Sequence, residues 1–595
     1  MPPQTSRETG SRTKSTRVRG IAQHIPEDHR EQERAPALET QSPSGWAIKT
    51  WRSALLLSLA TVGLNSLIFE PVAWWPVAFV CLVPWLLLIG GLPSAPRVYA
   101  ISFLWAVGFF LINMRWLVFA TVEGYAPLSV YLALFFPLMA CPVRHAIRRR
   151  WPLVLVFPLI WTGNEFVRGV FVSGFPWFFL SHSQARFLSL IQISDIVGSY
   201  GVSFVVAAVN GAIADALFHR LRCAEPFFQC VGQARLSVGV AVGLVVGAIG
   251  YGRWQLSAGT SSPGPKVAVV QGDFLSLVKG DDVEDLTKKR IYFEMLEAAS
   301  AHDPDWYLLP ETPWIMYLNP EARGMRKFWN ESFTALQSFA TRRGALLVTG
   351  SASLEQHPTD LLARERRFNS ATVFSPDGSE PGRYDKVHVV PFGEAVPFRF
   401  GRLRFLYFWF NSYMPFSGAD GKQEFSVFPG TEFRVFRAEA RSLGGREFRF
   451  GIPICYEDVM PYVSREFVSG GQKEKRADFL LNISNDGWFG RGIQQPQHFA
   501  ICVFRAVENR VGIARAVNTG VSGFIDPDGR SHDLVRGDSS NRWPGSCGYT
   551  VAALKADSRY PLYSRYGDWF AWTCVGAWFL LFGDYWLTRV RGRGE

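Results

Sequence analysis

The chain has 595 residues, 48 Phe, 21 Trp, a charged fraction of 19% and a formal net charge of +11. So low a charged fraction, against roughly 25% in soluble proteins, argues for contact with lipid, where Trp and Tyr gather at the interface. The positive charge then reads as Lys and Arg in cytoplasmic loops, not as a nucleic-acid surface. Eight cysteines without a CxxC pair offer neither a disulfide framework nor a zinc site. Cys223 and Cys230 share a loop, but no further pair completes a tetrahedral set.

Residues 1–45 are polar and aperiodic, and read as a disordered cytoplasmic tail. From there to residue 260 the chain reads as a membrane domain. Apolar runs near 53–70, 73–93, 98–120, 125–142, 151–168, 190–217 and 235–252 match the length a bilayer core requires, and an eighth lies near 567–587. Pro158 and Asn164 interrupt the fifth. Basic loops RHAIRRR (144–150) and HRLRCAEPFFQCVGQAR (219–235) and the end RVRGRGE (589–595) all fall inside if the tail is cytoplasmic. The positive-inside rule favours that orientation. Seven spans then deliver residues 261–560 to the outer side, and residues 561–595 return the chain through the eighth to a basic cytoplasmic end.

Residues 261–560 read as a large α/β domain. KVAVVQGD (266–273), DWYLLPE (305–311), GALLVTGSAS (344–353), FRFGIPICYE (448–457) and ADFLLNISND (477–486) are short apolar strands. Between them, residues 283–302 and 327–344 carry helical spacing, and alternating strands and helices argue an α/β fold.

Three polar residues stand at or near strand ends, where such folds place catalytic groups: Glu311, Lys386 and Cys455. A thiol is a few per cent thiolate at neutral pH and needs a base beside it. Glu311 could take that proton, and Lys386 could meet the oxyanion formed when a carbonyl is attacked. Taken singly, each has a plainer reading: a buried thiol, a loop carboxylate, a solvated lysine. His388 and His498 are near in sequence but have no evident carboxylate to orient them. GxGxxG and GKS-type phosphate loops are missing, so no nucleotide cofactor is expected, and no metal.

The order Glu, Lys, Cys resembles the nitrilase or carbon–nitrogen hydrolase superfamily, which implies an αββα sandwich. PFGEAVPF after the lysine, ICYED around the cysteine, NISNDGWFG (482–490), QQPQHFAICVFRAVENR (494–510) and ARAVNTGVSGFIDPDG (514–529), with flanking spans, resemble the apolipoprotein N-acyltransferase branch. The resemblance implies Glu311 as general base, Lys386 as oxyanion stabiliser and Cys455 as nucleophile. It implies supporting or substrate-binding roles for Glu394, Tyr456, Glu457, Trp488 and Phe489. For Trp488 plain core packing is an equal alternative. GFPWFFLSHSQ (174–184) would line a lipid entrance or form an interfacial belt. The aromatic stretch 402–416 would be a wall or lid toward lipid, or a packed core element. Where the family often carries Lys-Trp, this chain reads Lys279-Gly280.

The same resemblance implies a multi-pass protein of the bacterial inner membrane with an extracytoplasmic catalytic domain. Its donor would be a phospholipid and its acceptor a diacylglyceryl-apolipoprotein, linked by a thioester on Cys455. No nucleic-acid partner is expected, and a monomer is. A membrane-anchored amidase shares the three residues but would need at most one anchor. A transporter or receptor would carry more polar residues within its spans; the exceptions here, Arg115, Glu165 and Asp195, are expected near ends or breaks.

Overall fold

The computed structural model describes residues 47–223, 234–275, 282–357, 365–399, 401–412, 426–535 and 546–591. The tail 1–45, Cys230, Lys279-Gly280 and residues 413–416 lie outside them.

The N-terminal half is helical: α1 (Trp51–Leu67), α2 (Val83–Gly91), α3 (Ala95–Asn113), α4 (Val122–Ala133), α5 (Phe135–Arg149), α6 (Leu153–Val170), α7 (Ser199–Cys223) and α8 (Arg235–Ser257). Among the described residues, five helical stretches are long and apolar enough to cross a membrane: Ala95–Asn113, Val122–Arg149, Leu153–Val170, Ser199–Leu221 and Arg235–Ser257. Two expected spans differ from the structure. The run 73–93 is a 3-10 turn, Trp75–Phe79, followed by the nine-residue α2. The run 190–217 opens with four-residue helices, Leu188–Ile191 and Ser194–Val197, and its long helix begins only at Ser199. Apolar content gives a run its hydropathy, but Pro84 at the start of α2 and the positive-φ Gly198 (φ +68°) break its hydrogen-bond ladder.

The Pro158-bearing run does form one helix, α6, because its start is well satisfied. The Asp215 carboxylate on α7 accepts from Leu153 N (3.0 Å) and Val154 N (3.2 Å), supplying acceptors and negative charge where a helix leaves N–H groups unpaired. α6 and α7 pack so closely that a Cβ on Gly211 would lie 2.4 Å from Leu153 O. Glu165 is within α6, 2% exposed, and accepts from Trp161 Nε1 and Leu180 N, each at 2.8 Å. Arg115 follows the end of α3, and Asp195 sits at the break before α7. Exposed Leu56, Leu59, Leu236 and Val246 present an apolar outer face.

The C-terminal half stacks two six-stranded sheets. The strands that matter for the site are β1 (Ser261–Gln271), β2 (Trp306–Leu308), β3 (Leu346–Gln356), β4 (Glu365–Phe374), β5 (Gly382–Asp385), β7 (Arg446–Gly451), β8 (Phe479–Ser484) and β9 (Gly512–Val517). The sheets also include β6 (Val435–Ala440), β10 (Gly523–Ile525), β11 (Ser531–His532) and β12 (Gly548–Asp557); the strand orders are β12-β1-β2-β3-β4-β5 and β11-β10-β9-β8-β7-β6. In each sheet three central strands are parallel, β1-β2-β3 and β7-β8-β9. Side-chain alternation explains the layering. Trp306 and Leu308 face inward, with the Trp306 ring 5.1 Å from Phe450 of the other sheet. Tyr307 and Leu309 face outward among Leu296 of helix α9 (Asp282–Ala299) and Phe339 of helix α10 (Lys327–Arg343). Helix α13 (Gln494–Asn509) packs its Val503, Phe504 and Val507 into the same core as β8. The result is an αββα sandwich, with a short helix α11 (Arg404–Asn411) and a helix α12 (Pro461–Val468) between strands, and helix α14 (Trp569–Arg591) following the last strand.

Candidate active site

Glu311, Lys386 and Cys455 converge where β2, β5 and β7 end. Glu311 follows β2 in a turn whose next residue, Thr312, has φ +47°. β3 passes so close that a Cβ on Gly350 would lie 2.6 Å from Glu311 Cα; only glycine fits there. Lys386 directly follows β5. Its backbone N donates to Asn369 O and its carbonyl accepts from Gly430 N, both at 2.8 Å. Cys455 follows β7 at the start of a 3-10 turn, Cys455–Asp458, with φ +52°. A non-glycine residue held there costs about 1–3 kcal/mol and marks a functional turn.

Cys455 is partly exposed, whereas Glu311 is 5% and Lys386 0% exposed. Of the three, Cys455 is the residue that is not buried. Asn369 of β4 binds two carboxylates at once: its Nδ2 donates to Glu311 Oε1 (2.6 Å) and Glu394 Oε1 (2.8 Å). Glu394 Oε2 pairs with Lys386 Nζ at 2.7 Å and accepts from Val390 N at 2.7 Å. Asn369 leaves Glu311 Oε2 unoccupied, and the carboxylate lies within reach of the Cys455 thiol.

The charges divide as a thiol–carboxylate pair requires. Burial pushes the Glu311 carboxyl up, opposed by Lys386 and reinforced by Glu394. Burial and then Glu311 push the Cys455 thiol up, against Lys386. Burial opposes the Lys386 ammonium, but Glu394, Cys455 and Glu311 outweigh it and hold the lysine charged. Glu394 also feels burial, yet Lys386 and its hydrogen bonds keep it below the usual carboxylate range. The resting proton thus sits on sulfur, beside a carboxylate able to take it and a fixed cation able to meet an anion.

Glu457 joins the two loops of this site. Its Oε1 accepts from Val387 N (2.8 Å) and His388 N (3.0 Å), and its Oε2 from Ile454 N (2.8 Å). Tyr384 Oη donates to it as well, at 2.8 Å. Burial pushes its carboxyl up to about 7 against those backbone donors. Tyr456 Oη reaches 3.1 Å to Gly174 O, so the residue after Cys455 touches the helical half.

Trp488 is 49% exposed, which removes the core-packing alternative. Phe489 packs edge-on against Trp116, 4.9 Å away. Within 174–184, Trp177, Phe178 and Phe179 are buried, and Trp177 Nε1 donates to Gln497 Oε1 at 3.0 Å. That segment is an internal joint rather than an aromatic belt facing lipid. In α11, Phe405, Phe408 and Trp409 are exposed, so this helix is not part of the core.

The two histidines differ. His388 meets Tyr462 Oη at 2.8 Å and no carboxylate. His498, expected to lack carboxylate partners, has two, Asp458 and Asp486; they come from separate loops, which sequence proximity does not reveal. Asn369 and Ser484, whose hydroxyl touches the Cys455 thiol, were also missed. Each is a small polar residue in a strand with no spacing signal of its own. Among the described residues no group of three or more His, Cys, Asp or Glu is arranged to hold a metal ion.

Two stacked sheets with a cysteine, a glutamate and a lysine meeting at their strand ends define the carbon–nitrogen hydrolase class, and the carbon-nitrogen hydrolase family model matches residues 266–533. The model of the apolipoprotein N-acyltransferase N-terminal domain matches residues 62–212. An apolipoprotein N-acyltransferase of Geobacter metallireducens is 31% identical over 542 residues, covering 88% of this chain and 94% of that protein. One from Azotobacter vinelandii is 30% identical, covering 82% and 87% respectively. The chain belongs to the apolipoprotein N-acyltransferase family, and it is a membrane protein and an acyltransferase.

Proposed function

We propose that this chain transfers an acyl chain from a phospholipid to the free α-amino group of an N-terminal diacylglyceryl-cysteine of a lipoprotein. The observation that carries the reading is the Cys455 thiol flanked by buried Glu311 and Lys386, in a chain that also has membrane-length helices.

Glu311 Oε2 takes the thiol proton as Cys455 Sγ attacks the ester carbonyl of the phospholipid. The carbonyl electrons move onto oxygen, beside Lys386 Nζ, which stabilises the oxyanion. Collapse re-forms the carbonyl, breaks the ester C–O bond and returns the proton from Glu311 to the leaving alkoxide. Lysophospholipid departs and Cys455 carries a thioester. The acceptor amine then attacks this thioester, Glu311 takes its proton, and the amide leaves with the thiol re-protonated. Such ping-pong chemistry accumulates an acyl-enzyme. Asn369 keeps the two carboxylates apart and aimed, Glu394 holds the lysine, and Glu457 ties the Lys386 loop to the Cys455 turn. Trp488 and Phe489 form the substrate-facing side. No step calls for a cofactor or metal.

The reading extends to topology. Residues 46–260 would embed with about seven spans, residues 261–560 would face outward, and residues 561–595 would supply an eighth span and a cytoplasmic end. The basic loops support a cytoplasmic-membrane orientation with both termini inside.

Incubating the purified protein with phospholipid should add one acyl mass to the peptide bearing Cys455. A diacylglyceryl-cysteine peptide should discharge it as an amide. Discharge by water alone at the same rate would mark a hydrolase instead.

A further inference from the structure

His498 and its partners take no part in the steps above. His498 lies on the first turns of α13 and is 2% exposed. Its Nε2 is 2.5 Å from Asp458 Oδ1 and its Nδ1 is 2.8 Å from Asp486 Oδ1. Carboxylate oxygens only accept, and a neutral imidazole donates from one nitrogen only. Both contacts together therefore require the doubly protonated ring. Arg515 of β9 completes the group, its Nε 3.3 Å from Asp458 Oδ2 and an Nη 3.8 Å from Asp486 Oδ2. Two positive charges thus face two negative ones in a fully buried set, in which loss of any one leaves an uncompensated charge.

The elements it joins matter most. Asp458 ends the turn that Cys455 begins. Asp486 begins the turn Asp486–Phe489 that carries Trp488 and Phe489. Ser484 Oγ donates to Asp486 Oδ1 at 3.1 Å and also touches the Cys455 thiol. From the helical half, the Trp177 ring stands 5.5 Å from the imidazole. On α13 itself, Gln494 Nε2 is 3.5 Å from Nδ1, and the Cys502 thiol shares Asp458.

We propose that His498 is a positioning residue for acyl transfer: as an imidazolium between Asp458 and Asp486 it locks the turn bearing Cys455 to the turn bearing Trp488 and Phe489. The inference rests on the acyl-transfer reading. Losing the second proton would turn one ring lone pair onto a carboxylate and push the two turns apart. A displacement of about 1 Å at a reacting centre costs on the order of 10²-fold in rate. Burial works against the ring charge, but Asp458 and Asp486 outweigh it and lift the imidazolium to about 9. Because the folded value is raised, the lock is complete below the ordinary histidine value of about 6.5 and opens as pH rises through about 9.

The test uses the full chain in detergent with phospholipid donor and a diacylglyceryl-cysteinyl peptide, following both the Cys455 adduct and the amide product across pH. H498Q should lose on the order of 10²-fold in transfer, since its amide oxygen faces Asp486. H498Q combined with D486N should recover to within about tenfold, on the scale of one lost hydrogen bond. There the glutamine amide donates to Asp458, its oxygen accepts from the asparagine, and Arg515 balances the remaining carboxylate. The recovered variant should also lack the alkaline fall that the wild type shows near pH 9. Wild-type rate and pH profile in H498Q would overturn the inference. So would a double variant that melts like the wild type yet stays as slow as H498Q, and this arm decides the matter if H498Q alone does not fold. A wild type that forms no Cys455 adduct would instead overturn the acyl-transfer reading, and this inference with it.

Discussion

Asn369 shows how much one side chain holds in this site. Its single amide nitrogen reaches Glu311 at 2.6 Å and Glu394 at 2.8 Å, so two carboxylates that would repel are kept in register with Lys386. Asn369→Ala should leave a buried acceptor on each and lower the rate of Cys455 acylation about 10²-fold, with Lys386 and Cys455 intact. Glu311→Gln makes a sharper case. The negative charge of Glu311 raises the Cys455 thiol, so removing it lowers the thiol pKa. Alkylation of Cys455 at neutral pH should speed up in Glu311→Gln, while transfer falls by about 10²–10⁴-fold for want of a base. Alkylation at the wild-type rate in Glu311→Gln would show that the carboxylate does not face the sulfur. Gly350→Ala would push a methyl to 2.6 Å from Glu311 Cα. A loss of about 1–3 kcal/mol in stability is expected, read as a lower melting temperature. Cys455 and Glu311 were legible because each closes an apolar strand, and Lys386 through the motif PFGEAVPF that follows it. Asn369 and the carboxylate partners of His498 were not, since their meaning lies in contacts spanning 12 to 58 positions in sequence.

Among the elements, α11 and the turn Asp486–Phe489 carry the exposed aromatic surface. Phe405, Phe408 and Trp409 stand out from α11 at 65%, 51% and 56% exposure, beside Arg402 and Arg404. Such a face suits an interface where apolar rings enter and basic groups stay in water. Replacing the three by Ser should slow acylation from phospholipid vesicles and leave acylation by a short water-soluble thioester unchanged. Equal slowing with both donors would show that the helix serves the fold instead. Trp306 is the opposite kind of residue, fully buried between the sheets with Nε1 donating to Glu439 O at 3.0 Å. Trp306→Ala should cost about 3–5 kcal/mol, measured by denaturation of the detergent-solubilised chain. The five strands and two helices expected from apolar runs are all present. β4, β5 and β12 were not foreseen; they mix polar with apolar residues, and only pairing along the sheet makes them strands.

On the scale of the whole molecule, the helical half and the sandwich share one buried core and are joined by directed contacts. Tyr456 reaches Gly174 O, Trp177 reaches Gln497, and Phe489 rests on Trp116. The turn that Cys455 begins and the turn bearing Trp488 and Phe489 therefore both touch the helical half. If the sandwich faces outward, then in a background with all eight native cysteines replaced by Ser, a cysteine at Glu294 should react with an impermeant maleimide in intact cells. One at Arg149 should react only after lysis. The reverse pattern would invert the orientation argued from the basic loops. Local chemistry is written in the chain itself: membrane-length apolar runs, basic loops, strand alternation, and a Glu, a Lys and a Cys at strand ends are properties of neighbouring residues. Tertiary structure alone decided where apolar runs break, which polar side chains share a proton, and that His498 lies between two carboxylates. Those outcomes depend on distances of 2.5 to 3 Å between groups far apart in sequence, and burial sets both their charge and their strength.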